Sequence, residues 1–84
     1  MNPDEIKKLI ETALNTQSVE VKGEGSMFDV IVVSDDFEGK TAVKKQQMVY
    51  ASVNDKIASG EIHALTIKSY TSKEWKTASK LQIQ

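Results

Sequence analysis

Apolar residues recur at Ile6, Leu9, Ile10, Ala13 and Leu14, the spacing of one face of a helix. Asn2 stands where an N-cap belongs, Pro3 suits the first helical position, and Glu5 completes an Asn-x-x-Glu capping box. Asn15-Thr16-Gln17 ends the helix. The period then shortens to two. Val19-Glu20-Val21-Lys22 predicts a strand, Gly23-Glu24-Gly25-Ser26 a turn, and Phe28-Asp29-Val30-Ile31-Val32-Val33 the second strand of a hairpin. The far end of that second strand is apolar on both parities, which places it at the centre of a sheet. Asp35-Asp36-Phe37-Glu38-Gly39-Lys40 reads as a polar loop with one helical turn around Phe37.

Thr41 then caps a long helix running to about Ser59, with Gly60 at its C′ position. Val49, Val53 and Ile57 form its buried stripe, flanked by Ala42, Met48 and Tyr50. Lys44, Lys45, Gln46 and Gln47 are polar over a full turn and face solvent or a partner. Residues 61–69 predict a third strand, and Thr71-Ser72-Lys73-Glu74 a second capping box opening a last helix with Trp75 and Ala78. Residues 79–84 read as a frayed tail. The order α-β-β-α-β-α predicts one α+β domain over residues 1–84, with a three-stranded mixed sheet and helices packed on one face. The hairpin is antiparallel, and the helical crossover favours a parallel third strand.

Composition sharpens this. The 84 residues hold 39% hydrophobic and 27% charged side chains, which suits a small soluble domain. No cysteine is present, so the chain has no disulfide, no thiolate nucleophile and no zinc or iron–sulfur site of its own. The acidic start shows no secretory signal, and no apolar run approaches the roughly 20 residues that span a bilayer. A cytoplasmic protein without membrane contact is the expectation. The net charge of −1 is unevenly spread: residues 1–39 carry three lysines against nine acids, and residues 40–84 carry eight lysines against three. Such a charge dipole orients a partner, whether an acidic protein surface or nucleic acid. Every basic residue is lysine, which argues against bidentate reading of DNA bases.

His63 is the only histidine, hence the only imidazole available to a metal. Its parity with Leu65 and Ile67 allows a packed strand histidine; its place just after Gly60 puts it at a sheet end that a partner could reach. One residue cannot make a metal site, so any such chemistry borrows ligands. The acids Asp35, Asp36 and Glu38 are a weak carboxylate signal without a further ligand nearby. Trp75 and Tyr70 read as packing residues. An enzyme is not expected, because no nucleophile–base set, phosphate-cradling glycine loop or matched acid–base pair is visible.

Several strings, in order, resemble the BolA family, most closely its short YrbA/IbaG-like branch. They are Val21-Lys22-Gly23-Glu24-Gly25-Ser26, Phe37-Glu38-Gly39-Lys40, and the run from Val43 to Tyr50, Val43-Lys44-Lys45-Gln46-Gln47-Met48-Val49-Tyr50. Ile62-His63-Ala64-Leu65-Thr66-Ile67-Lys68 and Tyr70-Thr71-Ser72-Lys73-Glu74-Trp75 complete the set. The resemblance implies a class II KH-like fold, and as partner a monothiol glutaredoxin with which a [2Fe–2S] cluster can be shared through a glutathione thiol. It implies that His63 is one ligand, its other ring nitrogen held by an acceptor. The family's second ligand falls at Met27, where a histidine or cysteine is usual. A neutral thioether is a poor ligand for ferric iron. No cluster is expected on the isolated chain, taken as a monomer or weak homodimer.

The family is also regarded as containing transcriptional regulators, which offers DNA as an alternative partner. Lys40, Lys44, Lys45, Lys68 and Lys73 are the candidate contacts to a partner or to phosphates. The Gly-x-x-Gly clamp of KH domains is missing.

Overall fold

The computed structural model describes residues 1–82. Helix α1 spans Pro3–Ala13. Asn2 Oδ1 accepts from the Glu5 backbone N–H at 3.0 Å, and Asn2 Nδ2 donates to Glu5 Oε1 at 3.1 Å. The predicted capping box is therefore reciprocal, and such caps contribute about 1 kcal/mol. Ile6 and Ile10 of this helix are fully buried.

Strands β1 (Thr16–Glu24) and β2 (Met27–Ser34) pair antiparallel, and β3 (Ala64–Tyr70) pairs parallel to β2, giving the order β1-β2-β3. The hairpin is tighter than the sequence suggested. Glu24 pairs with Met27, so only Gly25 and Ser26 form the connection. Gly25 has φ +67° and no non-glycine residue has positive φ, which matches a type II′ turn with glycine first. Gly23 is also demanding. A Cβ there would overlap the Met27 carbonyl oxygen and lie 2.8 Å from Phe28 Cα. The close approach of the strands at this point requires glycine.

The core forms where Ile6 and Ile10 of α1 and Val49 of α2 (Ala42–Ser52) meet Val30 and Val32 of the central strand. Phe37, on a 3-10 turn over Asp35–Phe37, is fully buried against them. At the other end of the sheet α4 (Ser72–Gln82) leaves β3 and sets Trp75 at 5.3 Å from the Tyr70 ring in a tilted pair.

Three expectations need correction. The long helix is broken: α2 stops at Ser52, and a short α3 covers Asn54–Ala58. Val53 departs from helical geometry (φ −122°, ψ 15°) while staying buried, and the Ser52 hydroxyl donates to the Val49 carbonyl, competing with the helical ladder. Ile57 is consequently only half-buried, and Ala42 and Tyr50 are exposed. The third strand starts at Ala64 rather than 61, because residues 61–63 serve as the loop that returns from α3. Residues 79–82 are helical rather than frayed, and residues 83–84 of the expected tail lie outside the described residues.

The α4 start is a second reciprocal cap. The Thr71 hydroxyl accepts from the Glu74 N–H at 3.2 Å, and the Thr71 N–H donates to Glu74 Oε1 at 2.9 Å. That backbone donor first, and then Lys45 at 2.9 Å, hold the Glu74 carboxyl below the ordinary glutamate range. The shift stabilises the fold above the unfolded-state value near pH 4.3, and the contribution fades as pH falls through the lower folded value. Glu74→Gln is expected to lower stability at pH 7 and to flatten its loss on acidification, read by urea unfolding at pH 7 and below pH 4.3. Ile10→Ala, emptying a sealed site, is expected to cost about 2–5 kcal/mol in the same assay.

Candidate functional site

His63 is positioned by what precedes and follows it. Gly60, with φ +84°, ends α3, and its N–H donates to the Ile57 carbonyl. The Ile62 N–H reaches back to the Lys56 carbonyl at 3.1 Å, and the Ile62 side chain is buried. This anchors the loop and leaves the next residue on the surface. The His63 N–H then donates to the Ser26 carbonyl at 2.8 Å, and the Ala64 N–H to the same oxygen at 3.2 Å. One carbonyl in the hairpin turn therefore fixes where β3 begins.

The imidazole is exposed. Its Nε2 lies 3.6 Å from the position a Cβ on Gly60 would occupy, so the ring stands over a residue without a side chain. Among the described residues neither ring nitrogen has a hydrogen-bond partner, so the expected acceptor behind the ring is not found there. The reason is local: the ring projects from a surface loop, outside the strand where a neighbour could reach it. His63 is thus no packed strand histidine.

Met27 opens β2 directly opposite Ala64 and is 66% exposed. The turn that carries Met27 and the loop that carries His63 meet at one rim of the sheet. Tyr50 joins them, its hydroxyl donating to the Leu65 carbonyl at 3.3 Å. Tyr50 and Val43, 40% and 63% exposed, are with Met27 the large apolar side chains left in solvent among the described residues. Sequence reading took Tyr50 for a flank of the buried stripe and gave Val43 no role. Their separation of seven positions, off the Val49–Val53 register, was the available signal.

As donors these residues amount to one free imidazole and one thioether. Glu61 is occupied by the Ser59 hydroxyl at 2.9 Å and Lys56 at 3.3 Å, contacts that hold its carboxyl below the usual range. No group of three or more His, Cys, Asp or Glu side chains is arranged to hold a metal among the described residues. Position 63 fits a nitrogen ligand to a cluster held mainly by another molecule. Position 27 does not fit the second ligand, so the chain lacks the two-donor half of a shared [2Fe–2S] site.

The lysines do not converge as one patch. Lys45 is tied to Glu74 with its side chain 12% exposed. Lys68 lies on the solvent face of the sheet, in a depression shared with Glu20, Lys22 and Asp29. Lys44 lies in the first turn of α2, just after Lys40, and Lys73 in the first turn of α4, ends that the Lys45–Glu74 pair holds together. The acids of the 35–38 loop are structural. Asp36 Oδ2 accepts from the Asn15 N–H at 2.9 Å, and Asp35 accepts from the Ser72 N–H and hydroxyl at 2.9 and 3.1 Å.

A family model described as BolA-like protein matches residues 3–74. The chain belongs to the BolA family. It is 46% identical to the acid stress protein IbaG of Escherichia coli K12 over 96% of both chains. It is 32% identical to a BolA-like protein of Dictyostelium discoideum over 95% of this chain and 79% of that one. The fold is similar to a BolA homologue from Coxiella burnetii (TM-score 0.81, 35% identity, 90% and 97% of the two chains covered). It also resembles a Bol-like protein from Babesia bovis (TM-score 0.83, 26% identity, 94% of each chain). The expected α+β BolA-like fold is therefore established. No described helix is long and apolar enough to cross a membrane.

The exposed imidazole, without a hydrogen-bond partner among the described residues, is open to reagents from solvent. Diethylpyrocarbonate is expected to modify His63 at nearly the rate of a free histidine, followed by mass spectrometry of the single site. Gly23→Ala, which drives a methyl group into the Met27 peptide, is expected to lower stability and to move the Met27 and His63 amide resonances together.

Proposed function

We propose that this BolA-family protein is a non-catalytic adaptor that docks on a monothiol glutaredoxin through the rim carrying His63, in iron–sulfur or redox homeostasis under stress. The observation that carries this reading is the exposed His63 ring, fixed by its backbone to the hairpin turn yet with both nitrogens free of partners within the described residues. A side chain held in place without internal bonds is available to a second molecule. The apolar exposure of Met27 and Tyr50 supports docking at this rim, since aromatic and methionine side chains are favoured at interface cores. The similarity to a protein named for acid stress supports a stress setting. Lys40, Lys44 and Lys73 lie at the opposite end of β3, beside the Lys45–Glu74 joint, and do not line this rim.

With position 27 a methionine, His63 is the one nitrogen donor the chain brings to a glutaredoxin-held [2Fe–2S] cluster. The visible absorption and circular dichroism of a cluster-loaded monothiol glutaredoxin are expected to change on adding the protein, and the change to vanish with His63→Ala. Met27→His is expected to enlarge it. An unaltered spectrum, or an equal change with His63→Ala, would sink the ligand role of His63.

Nucleic-acid binding is the second reading, favoured only by Lys40, Lys44 and Lys73 sharing one end of the molecule; Lys45 and Lys68 do not join them. It offers phosphate contact without base reading.

A further inference from the structure

We propose that the outer edge of β3 and the exposed face of α2 form a groove for an extended peptide segment of a partner protein. The segment adds to the sheet as a further strand, apolar at alternate positions and acidic towards its N-terminal end. In this mode main-chain bonds to an unpaired strand edge supply affinity, and alternate side chains supply selectivity. The groove shares only Tyr50 with the His63 rim and needs neither a cluster nor a glutaredoxin.

Strand pairing fixes which main-chain groups are free. In a strand the N–H and C=O of one residue point to one side and those of the next residue to the other. The Ala64 N–H turns toward the hairpin, donating to the Ser26 carbonyl, so Ala64, Thr66 and Lys68 bond to β2. Leu65, Ile67 and Ser69 therefore present their main-chain groups outward. The Leu65 carbonyl bears this out, because it accepts from the Tyr50 hydroxyl of α2. Among the described residues no turn, helix or side chain bonds the main chain of Ile67 or Ser69. The Leu65 and Ile67 side chains are only half-buried at the margin of the core.

Helix α2 supplies the wall of the groove. Val43 and Tyr50 lie about two turns apart on one face, with the exposed Gln46 and Gln47 between them. Tyr50 reaches the Leu65 end of the edge, and Lys45 reaches Glu74 beyond the Tyr70 end, so the helix runs antiparallel beside β3. Two helical turns measure about 11 Å and the step from Leu65 to Ser69 about 13 Å, so wall and edge match in length. An added strand covers Val43, whose 63% exposure no contact within the fold explains. Charge sets the polarity of the occupant. Lys44 and Lys73 stand in the first turns of α2 and α4, beside the Tyr70 end of the edge. An antiparallel segment, the more stable pairing, meets these lysines with its N-terminal residues.

The probe is a fluorescein-labelled peptide with an acidic N-terminal third followed by alternating valine and threonine. Its binding to the isolated chain is read by fluorescence anisotropy and by amide hydrogen exchange. The Leu65, Ile67 and Ser69 amides are expected to exchange more slowly with peptide bound, while Thr66 and Lys68, already bonded to β2, stay unchanged. Ile67→Pro removes an outward N–H and no bond to β2, so peptide affinity is expected to fall about tenfold. Val43→Ser tests the wall at an exposed position and is expected to weaken binding about threefold. His63→Ala is expected to leave the affinity unchanged, which separates this groove from the rim. Absence of binding, or full affinity in both Val43→Ser and Ile67→Pro, would overturn the proposal. Protection of the same amides that rises with protein concentration alone would put a second copy on the edge and overturn it equally.

Discussion

A single carbonyl oxygen organises the candidate functional end of this protein. Ser26 sits in the two-residue turn between β1 and β2, and its oxygen takes N–H groups from both His63 and Ala64. Those contacts start the parallel pairing of β3 in register with β2, so that Met27 meets Ala64 and Val30 meets Ile67. The turn in turn depends on Gly25 at positive φ and on Gly23, whose missing side chain lets Phe28 approach. A shift at this point would carry every β3 side chain to the wrong face. The imidazole is placed by the same bonds that place the strand, which gives a surface residue a rigid backbone.

The remaining polar chemistry is largely consumed in holding elements together. Ser34 is fully buried yet satisfied, donating to the Asn15 carbonyl and accepting from the Asp36 N–H. Asp35 and Asp36 bind the start of α4 and the end of α1 respectively, and Lys45 joins α2 to Glu74. A charge run that looked like a solvated face or a phosphate-binding surface thus contributes one of its lysines to an internal joint. At the His63 rim, His63, Met27 and Tyr50 remain as side chains with no structural duty equal to their exposure. That contrast, more than any motif, is what the proposed docking at the rim rests on.

The elements were legible where local chemistry decides them. The Asn2–Glu5 and Thr71–Glu74 capping boxes formed as the residue types dictated, and the central place of β2 followed from its apolar residues on both parities. The break at Val53 was not legible. The Val49–Val53–Ile57 spacing is helical, yet in the folded chain Val53 leaves helical geometry while staying buried, and the Ser52 hydroxyl donates to the Val49 carbonyl. The start of β3 was also misplaced by three residues, since Ile62 is apolar enough for a strand but is spent as a buried loop anchor tied to Lys56.

The sequence by itself determined the order of elements, the caps, the family and the uniqueness of the imidazole, because each depends on residues close together or on composition. Tertiary structure decided that the His63 ring is exposed and without a partner among the described residues, that Met27 and Tyr50 stand beside its loop, and that Lys45 and Lys68 face different duties. These facts rest on contacts between residues more than a dozen positions apart. Hydrophobic burial of Ile62, Val53 and Phe37 selects those contacts, and no local pattern encodes them.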